Sequence, residues 1–259
     1  MLKEELFRAF RGRRFWLACV FGLLACYIGM GFYFEGKAIP GLPFERNPYE
    51  AFLQTIAGPS GVIALLAPLV VVLPFADSYA LDKDSGYLKF VLLRTGDTQQ
   101  YYNAKFAANA VAGGTALFIP LAATFAYLWY TFPHGLSQAA KTNPLGGLLG
   151  GVFPTAPALY ISFLMLLAFI FGVVYASLGL ALSSSITNRY VVLATPFLLY
   201  NIGNLVLAIL GLTNWTPPTT LVPHTVSTTS WITVFIPLLA IFAGSRRAWN
   251  SLSKKEVIL

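Results

Sequence analysis

The chain has 259 residues, 57% of them apolar and only 10% charged, with a net charge of +7. Soluble domains carry roughly 25% charged residues, so this composition, with a mean hydropathy of +0.68, excludes an ordinary water-soluble fold. Uncharged apolar stretches of the roughly 20 residues a helix needs to cross a bilayer recur along the chain, and none alternates as a barrel strand does.

The expectation is an all-α polytopic membrane protein with six transmembrane helices, its 259 residues forming one transmembrane domain. Residues 1–14, in MLKEELFRAFRGRRFW, read as an amphipathic helix lying in the membrane interface. Leu2, Leu6 and Phe10 recur every four residues with Phe7 beside them, while Lys3, Glu4, Arg8 and Arg11 face away. Glu4 and Arg8 form an i,i+4 pair of the favourable orientation. The first span covers 15–34, where Ala18, Gly22, Ala25, Cys26 and Gly29 make a small-residue seam for helix contact. Cys19 and Cys26 lie seven residues apart, about 10 Å along a helix, too far for a mutual disulfide.

Residues 31–38 spell GxxxxGK, but Ala38 stands where a phosphate-binding loop needs Ser or Thr, and Ile39-Pro40-Gly41 blocks the helix that should follow. The chain therefore has no nucleotide site of its own. The second span covers 51–76, with Pro68 and Pro74 as kink positions.

Residues 77–105 then gather eight of the chain's 27 charges around an apolar run, Tyr87 to Leu93. A helix over 84–94 places Tyr87, Leu88, Val91 and Leu92 together, with Phe90 and Leu93 nearby. Left in water, such a patch marks a partner or a membrane surface. Gly96 stops this helix, and Asp97 with Gln100 resembles a capping box opening the next. The segment reads as a docking element between two spans.

The third span covers 106–132. Beyond it, residues 143–157, NPLGGLLGGVFPTAP, are apolar but broken by glycine and proline. They either dip back into the membrane, where protein must cover their backbone, or lie as a hairpin on its surface. The fourth and fifth spans cover 159–182 and 190–212. The fifth carries Tyr200, Asn201 and Asn204. Amides in hydrocarbon must pair across helices or face water, so an interhelical bond and a pathway-lining role both stay open. The sixth span covers roughly 225–243.

With six spans, 14 of the 17 Lys and Arg residues fall on the side of the two termini. Positive charge stays cytoplasmic, so both termini are expected inside, and the basic balance signals topology rather than nucleic acid. His134 and His224 lie in outer loops without Cys, Asp or Glu at ligand spacing. No span holds a carboxylate. No catalytic or metal-binding constellation is found, so a membrane-embedded enzyme has no support.

The stretch DKDSGYLKFVLLRTGDTQQYYNAK, residues 82–105, resembles the cytosolic loop of type-2 ABC-transporter permeases. That loop runs acid, base, acid, small residue, Gly, Thr, an apolar helix, Ser or Thr, a proline turn and Lys. Asp82, Lys83, Asp84, Ser85, Gly86, Leu88, Leu92, Leu93, Thr95 and Lys105 fit in order. Tyr87 stands where Thr is usual, and Gly96-Asp97 replaces the proline turn.

The resemblance implies a permease that pairs with a second copy of itself or another permease. It implies binding of two separate cytosolic ATPase subunits, which hold ATP and Mg. Asp82, Lys83, Asp84, Gly86, Tyr87, Leu88, Val91, Leu92 and Arg94 would form the coupling helix and its flank, and Tyr200, Asn201 and Asn204 would line the pathway. The expected setting is the bacterial cytoplasmic membrane and the expected role export of an amphiphilic peptide, drug or lipid. A non-transporting membrane receptor or immunity protein is the alternative.

Overall fold

A computed structural model describes residues 1–35, 47–57, 61–95, 98–137, 140–141, 145–186 and 188–256. Among the described residues every regular element is helical: α1 Leu2–Arg11, α2 Arg13–Glu35, α3 Pro48–Ala57, α4 Val62–Val72, α5 Ser78–Asp84, α6 Tyr87–Thr95, α7 Thr98–Thr131, α8 Pro157–Leu182, α9 Arg189–Ile209 and α10 Trp231–Glu256. Five of these, α2, α7, α8, α9 and α10, are long and apolar enough to cross a membrane, and the bent pair α3–α4 makes a sixth if it counts as one.

The centre of the bundle is α7, which packs on α8, α2, α4 and α1. Small residues let α7 and α8 approach closely: a Cβ placed on Gly172 would meet the Gly113 carbonyl oxygen and Gly114 Cα, each at 2.7 Å. Across the same contact the Asn109 amide donates to the Ala176 carbonyl at 2.7 Å. Gly172→Val should therefore force the two helices apart and cost about 1–3 kcal/mol, read as a lower unfolding temperature in detergent. The small-residue seam expected on the first span is present as well, with Ala18, Gly22, Ala25, Cys26 and Gly29 all buried.

Three boundaries depart from the sequence expectation. The stretch 51–76 is not one straight span: α3 and α4 are inclined by 71°. Gly58, Pro59 and Gly61 stand between them, residue types that end helices. Pro68 lies inside α4, whereas Pro74 falls in the turn that follows it. The last helix starts at Trp231 and runs through Glu256, so 225–230 is not part of it.

Upstream of α10 the chain makes short 3-10 turns at Thr213–Trp215, Pro217–Thr220 and Pro223–Thr225. Pro217, Pro218 and Pro223 lack the amide donors that an α-helix would use. Ser230 and Thr233 cap α10 reciprocally: Ser230 N–H donates to Thr233 Oγ1 at 2.9 Å and Thr233 N–H to Ser230 Oγ at 3.4 Å.

Of the segment 143–157, expected to dip into the membrane or to lie as a hairpin on its surface, residues 143 and 144 lie outside the described residues, and the rest includes a 3-10 turn at Gly150–Val152. The described part folds as turns whose Leu148 and Phe153 are buried, and Gly147 N–H donates to the Ser227 carbonyl at 3.0 Å. Together with 213–230 it caps one end of the bundle.

His224 sits in that cap, edge-on to Tyr160 at 6.4 Å between ring centroids. Its Nδ1 is buried without a hydrogen-bond partner among the described residues, and burial pushes its pKa down to about 4. Residues 145–188 and 190–245 contain no Asp, Glu, Lys or Arg that could pair with a charged imidazole. The unfolded chain takes up a proton near pH 6.5, while the folded cap refuses it until about pH 4. Stability is therefore full above pH 6.5 and falls by about 3 kcal/mol as the pH drops to about 4. Melting curves across that range should show this slope, and His224→Phe should flatten it.

Candidate functional site

The described residues of α1, of the last turns of α10 and of the connection from α4 to α7 meet at the opposite end of the bundle from this cap. Trp249, late in α10, is fully buried there. Its ring packs edge-on against Tyr79 and Tyr102 at 5.2 and 5.3 Å, and its Nε1 donates to the Tyr102 carbonyl at 3.0 Å. Arg246, one turn earlier, donates to Asn103 Oδ1 at 2.6 Å.

The expected helix over 84–94 is present as α6 but starts three residues later, at Tyr87, because Asp84 ends a separate helix, α5. Between α5 and α6 the backbone turns at Gly86, whose φ of +72° belongs to the left-handed region that side chains disfavour. No atom lies within 4 Å of a Cβ built there, so a Gly86→Ala variant would meet backbone strain alone, about 1 kcal/mol.

The break sets how α6 is displayed. Leu88 turns inward, 6% exposed, into a cluster with Tyr79, Tyr101, Tyr102, Phe106, Leu180 and Trp249, and Val91 packs against it. Phe90 and Leu93 point the other way, 72% and 83% exposed, and Tyr87 is 42% exposed. The apolar residues thus divide between an anchoring face and an outward face instead of sharing one patch. The side chains of Leu92 and Arg94 lie outside the described residues, as do Gly96 and Asp97 of the expected turn.

Beneath α5 and α6 runs a buried ion network. Asp82, 3% exposed, accepts from Arg8 Nη2 at 2.7 Å, from the Tyr101 hydroxyl at 2.8 Å, and from Lys105 Nζ. Lys105 is fully buried and also pairs with Glu5 at 3.3 Å. Glu5 receives Arg8 Nη1 at 2.7 Å. Two acids and two bases from α1, α5 and α7 thus close on one another. A second pair, Arg14 to the buried Asp77 at 2.6 Å, ties the start of α2 to the turn before α5.

Burial alone would raise the Asp82 pKa, but the Arg8 hydrogen bonds and the Lys105 charge outweigh it and hold the carboxyl below its usual range. Burial likewise opposes the Arg8 charge, and Asp82 and Glu5 more than restore it. Asp82 and Arg8 thus each favour the charged form of the other.

This network corrects the expected orientation of the first helix. Its buried residues are Glu5 and Ala9: Glu5 faces the network, and Ala9 with Leu6 packs beside Phe75, Ala108 and Ala112. Arg8 reaches inward instead of facing away, and its guanidinium also lies 4.8 Å over the Tyr87 ring. Glu4 pairs with the amino terminus at 3.1 Å, not with Arg8. Lys83 and Asp84 are exposed.

The fifth-span residues stand apart from this end. Tyr200 is buried against Phe171 and Tyr175 at 5.7 and 5.6 Å, and its hydroxyl donates to the Ala64 carbonyl at 2.9 Å. Asn201 donates to the Phe197 carbonyl one turn back at 2.9 Å. Asn204 is half-buried.

Sequence reasoning missed Glu5, Arg8 and Tyr101 as partners of Asp82 and Lys105. The available signal was Lys105 itself: a lone cation opening a long uncharged run must find a buried counter-charge. Protein-family models and curated proteins, when compared with this chain, gave no match.

Proposed function

We propose that the chain is the membrane subunit of an ATP-driven transporter of the type-2 ABC kind. In this reading it crosses the bacterial cytoplasmic membrane six times, with α3–α4 as one broken span. Residues such as Trp16, Leu17, Tyr27, Leu205 and Leu239, all more than half exposed, face lipid. The charged end is cytoplasmic, because Lys and Arg concentrate there.

The observation that carries the reading is α6, a short helix pinned on one face by Leu88 and offering Phe90 and Leu93 on the other. Exposed apolar side chains on an anchored helix fit insertion into a groove on another protein. A separate ATPase supplies the energy. Its closure would push α6, and the ion network would pass that displacement to α1 and α7 as one unit. Asn201 and Asn204, on the largely exposed α9, are the candidates for meeting cargo, and an amphiphilic cargo suits a route with no charged side chain.

The test is purification of the protein from native membranes, followed by reconstitution with whatever ATPase accompanies it. A partner with a phosphate-binding loop, its ATP hydrolysis stimulated several-fold by the permease, is the expected result. Stimulation that is absent although both proteins are folded would overturn the reading.

A further inference from the structure

The charges at the α6 end are divided as unevenly as its apolar residues. The acids Glu5, Asp77 and Asp82 are all buried and consumed by Arg8, Arg14 and Lys105. Among the described residues, what remains exposed at this end of the bundle is mostly cationic. Lys83 on α5, Lys89 on α6 and Arg247 on α10 are exposed and have no ion-pair partner among the described residues. Asp84 is the one exposed acid of α5 and α6 among the described residues, and it lies within electrostatic reach of Arg189 at the start of α9.

Folding has thus paired three buried acids with three bases and left most of the exposed charge at this end basic. A surface of this kind, an apolar projection inside a basic rim, complements an apolar socket bordered by carboxylates. Opposite potentials across such a rim speed encounter and reject partners lacking the acids.

Resting on the transporter reading, we infer that α6 and its basic rim select a cytosolic protein whose receiving groove is apolar at its floor and acidic at its edge. Phe90 and Leu93 fill the floor; Lys83, Lys89 and Arg247 read the edge. Because the rim is solvent-exposed, its contribution is screened by salt over about 8–10 Å at ordinary ionic strength.

The experiment replaces Phe90 with the photoreactive residue p-benzoylphenylalanine in the full-length protein, irradiates native membranes, and sequences the cross-linked peptide. The expected peptide holds an apolar stretch flanked by an excess of Asp and Glu. Its yield should fall at least tenfold when Lys83→Glu, Lys89→Glu and Arg247→Glu are combined, and also when salt is raised from 50 to 500 mM. The unfolding temperature of that triple variant should not change, since none of the three side chains is buried.

A peptide without acidic excess overturns the inference, and so does a yield indifferent to charge reversal. Adducts to lipid alone overturn it too, assigning the surface to the bilayer. An acidic partner that lacks a phosphate-binding loop supports the inference and sinks the transporter reading. A partner with that loop but no acidic rim does the reverse.

Discussion

Replacing Lys105 by methionine should lower the stability of the folded protein by about 3–5 kcal/mol, the usual consequence of orphaning one member of a buried ion pair. Methionine keeps the length of the side chain, so the loss is electrostatic more than volumetric. Asp82 and Glu5 would be left facing each other across Arg8 alone, both nearly out of reach of water. The Asp82→Asn and Lys105→Met variants together tell this apart from simple overpacking. That pair removes one negative and one positive charge and leaves Glu5 with Arg8 as a balanced couple at 2.7 Å.

The double variant should therefore be more stable than the sum of the single losses by about 2 kcal/mol, within the range of directly coupled sites. Losses that simply add, measured by thermal unfolding in one detergent, would mean that the two residues do not act as a pair. Acid offers an independent check. The Asp82 carboxyl has a depressed pKa, so its contribution is complete above the ordinary carboxylate range and disappears as pH falls below it. The consequence is local before it is global. Since α1 is held to α5 and α7 through these charges, a break in the network should first appear as increased hydrogen exchange in α1.

How far all this was legible from the sequence depended on the periodicity of each part. The long uncharged runs placed α2, α8 and α9 and the end of α7 to within a few residues, because a run of 20 or more apolar residues leaves no other regular structure in hydrocarbon; α7 itself starts eight residues before its run, at Thr98. The seam on α2 was legible for the same reason: small residues recur every three or four positions on one side. The bend between α3 and α4 was signalled by Gly58-Pro59-Ser60-Gly61 and overlooked, since hydropathy averages across four such residues.

The charged loop with its apolar run stood out in the sequence, yet its geometry did not. A helix started at 84 ignores Gly86: Leu88 and Phe90, two residues apart on a helix, face opposite ways in any case, and the left-handed turn at Gly86 sets the rotation of α6 that sends Leu88 inward. Burial of Glu5, Arg8 and Lys105 could not be read from spacing, because the four charges come from 5, 8, 82 and 105 in sequence and only the packing of α1 on α7 brings them together.

That rotation of α6 gives the sharpest contrast the fold offers. Leu88→Asp inserts a carboxylate among Tyr79, Tyr101, Tyr102 and Trp249, where the nearby bases Lys105 and Arg8 are already committed to Asp82 and Glu5. A loss of about 3 kcal/mol or more is expected from forfeited burial plus an unpaired buried charge, and the variant should fail to accumulate or melt early. Phe90→Asp with Leu93→Asp should behave oppositely. Both side chains are more than two-thirds exposed, so stability should shift by less than about 0.5 kcal/mol, as surface changes generally do. Association with the α6 partner should nevertheless fall by two orders of magnitude or more, because central apolar anchors each carry about 2 kcal/mol or more of a protein interface. The comparison needs one melting curve and one co-purification yield for each variant. If Leu88→Asp proves stable while the outward pair unfolds the protein, α6 is turned the other way and its docking role goes with it. If the outward pair is stable and the partner stays bound, α6 is correctly placed but the contact lies elsewhere on this end of the bundle.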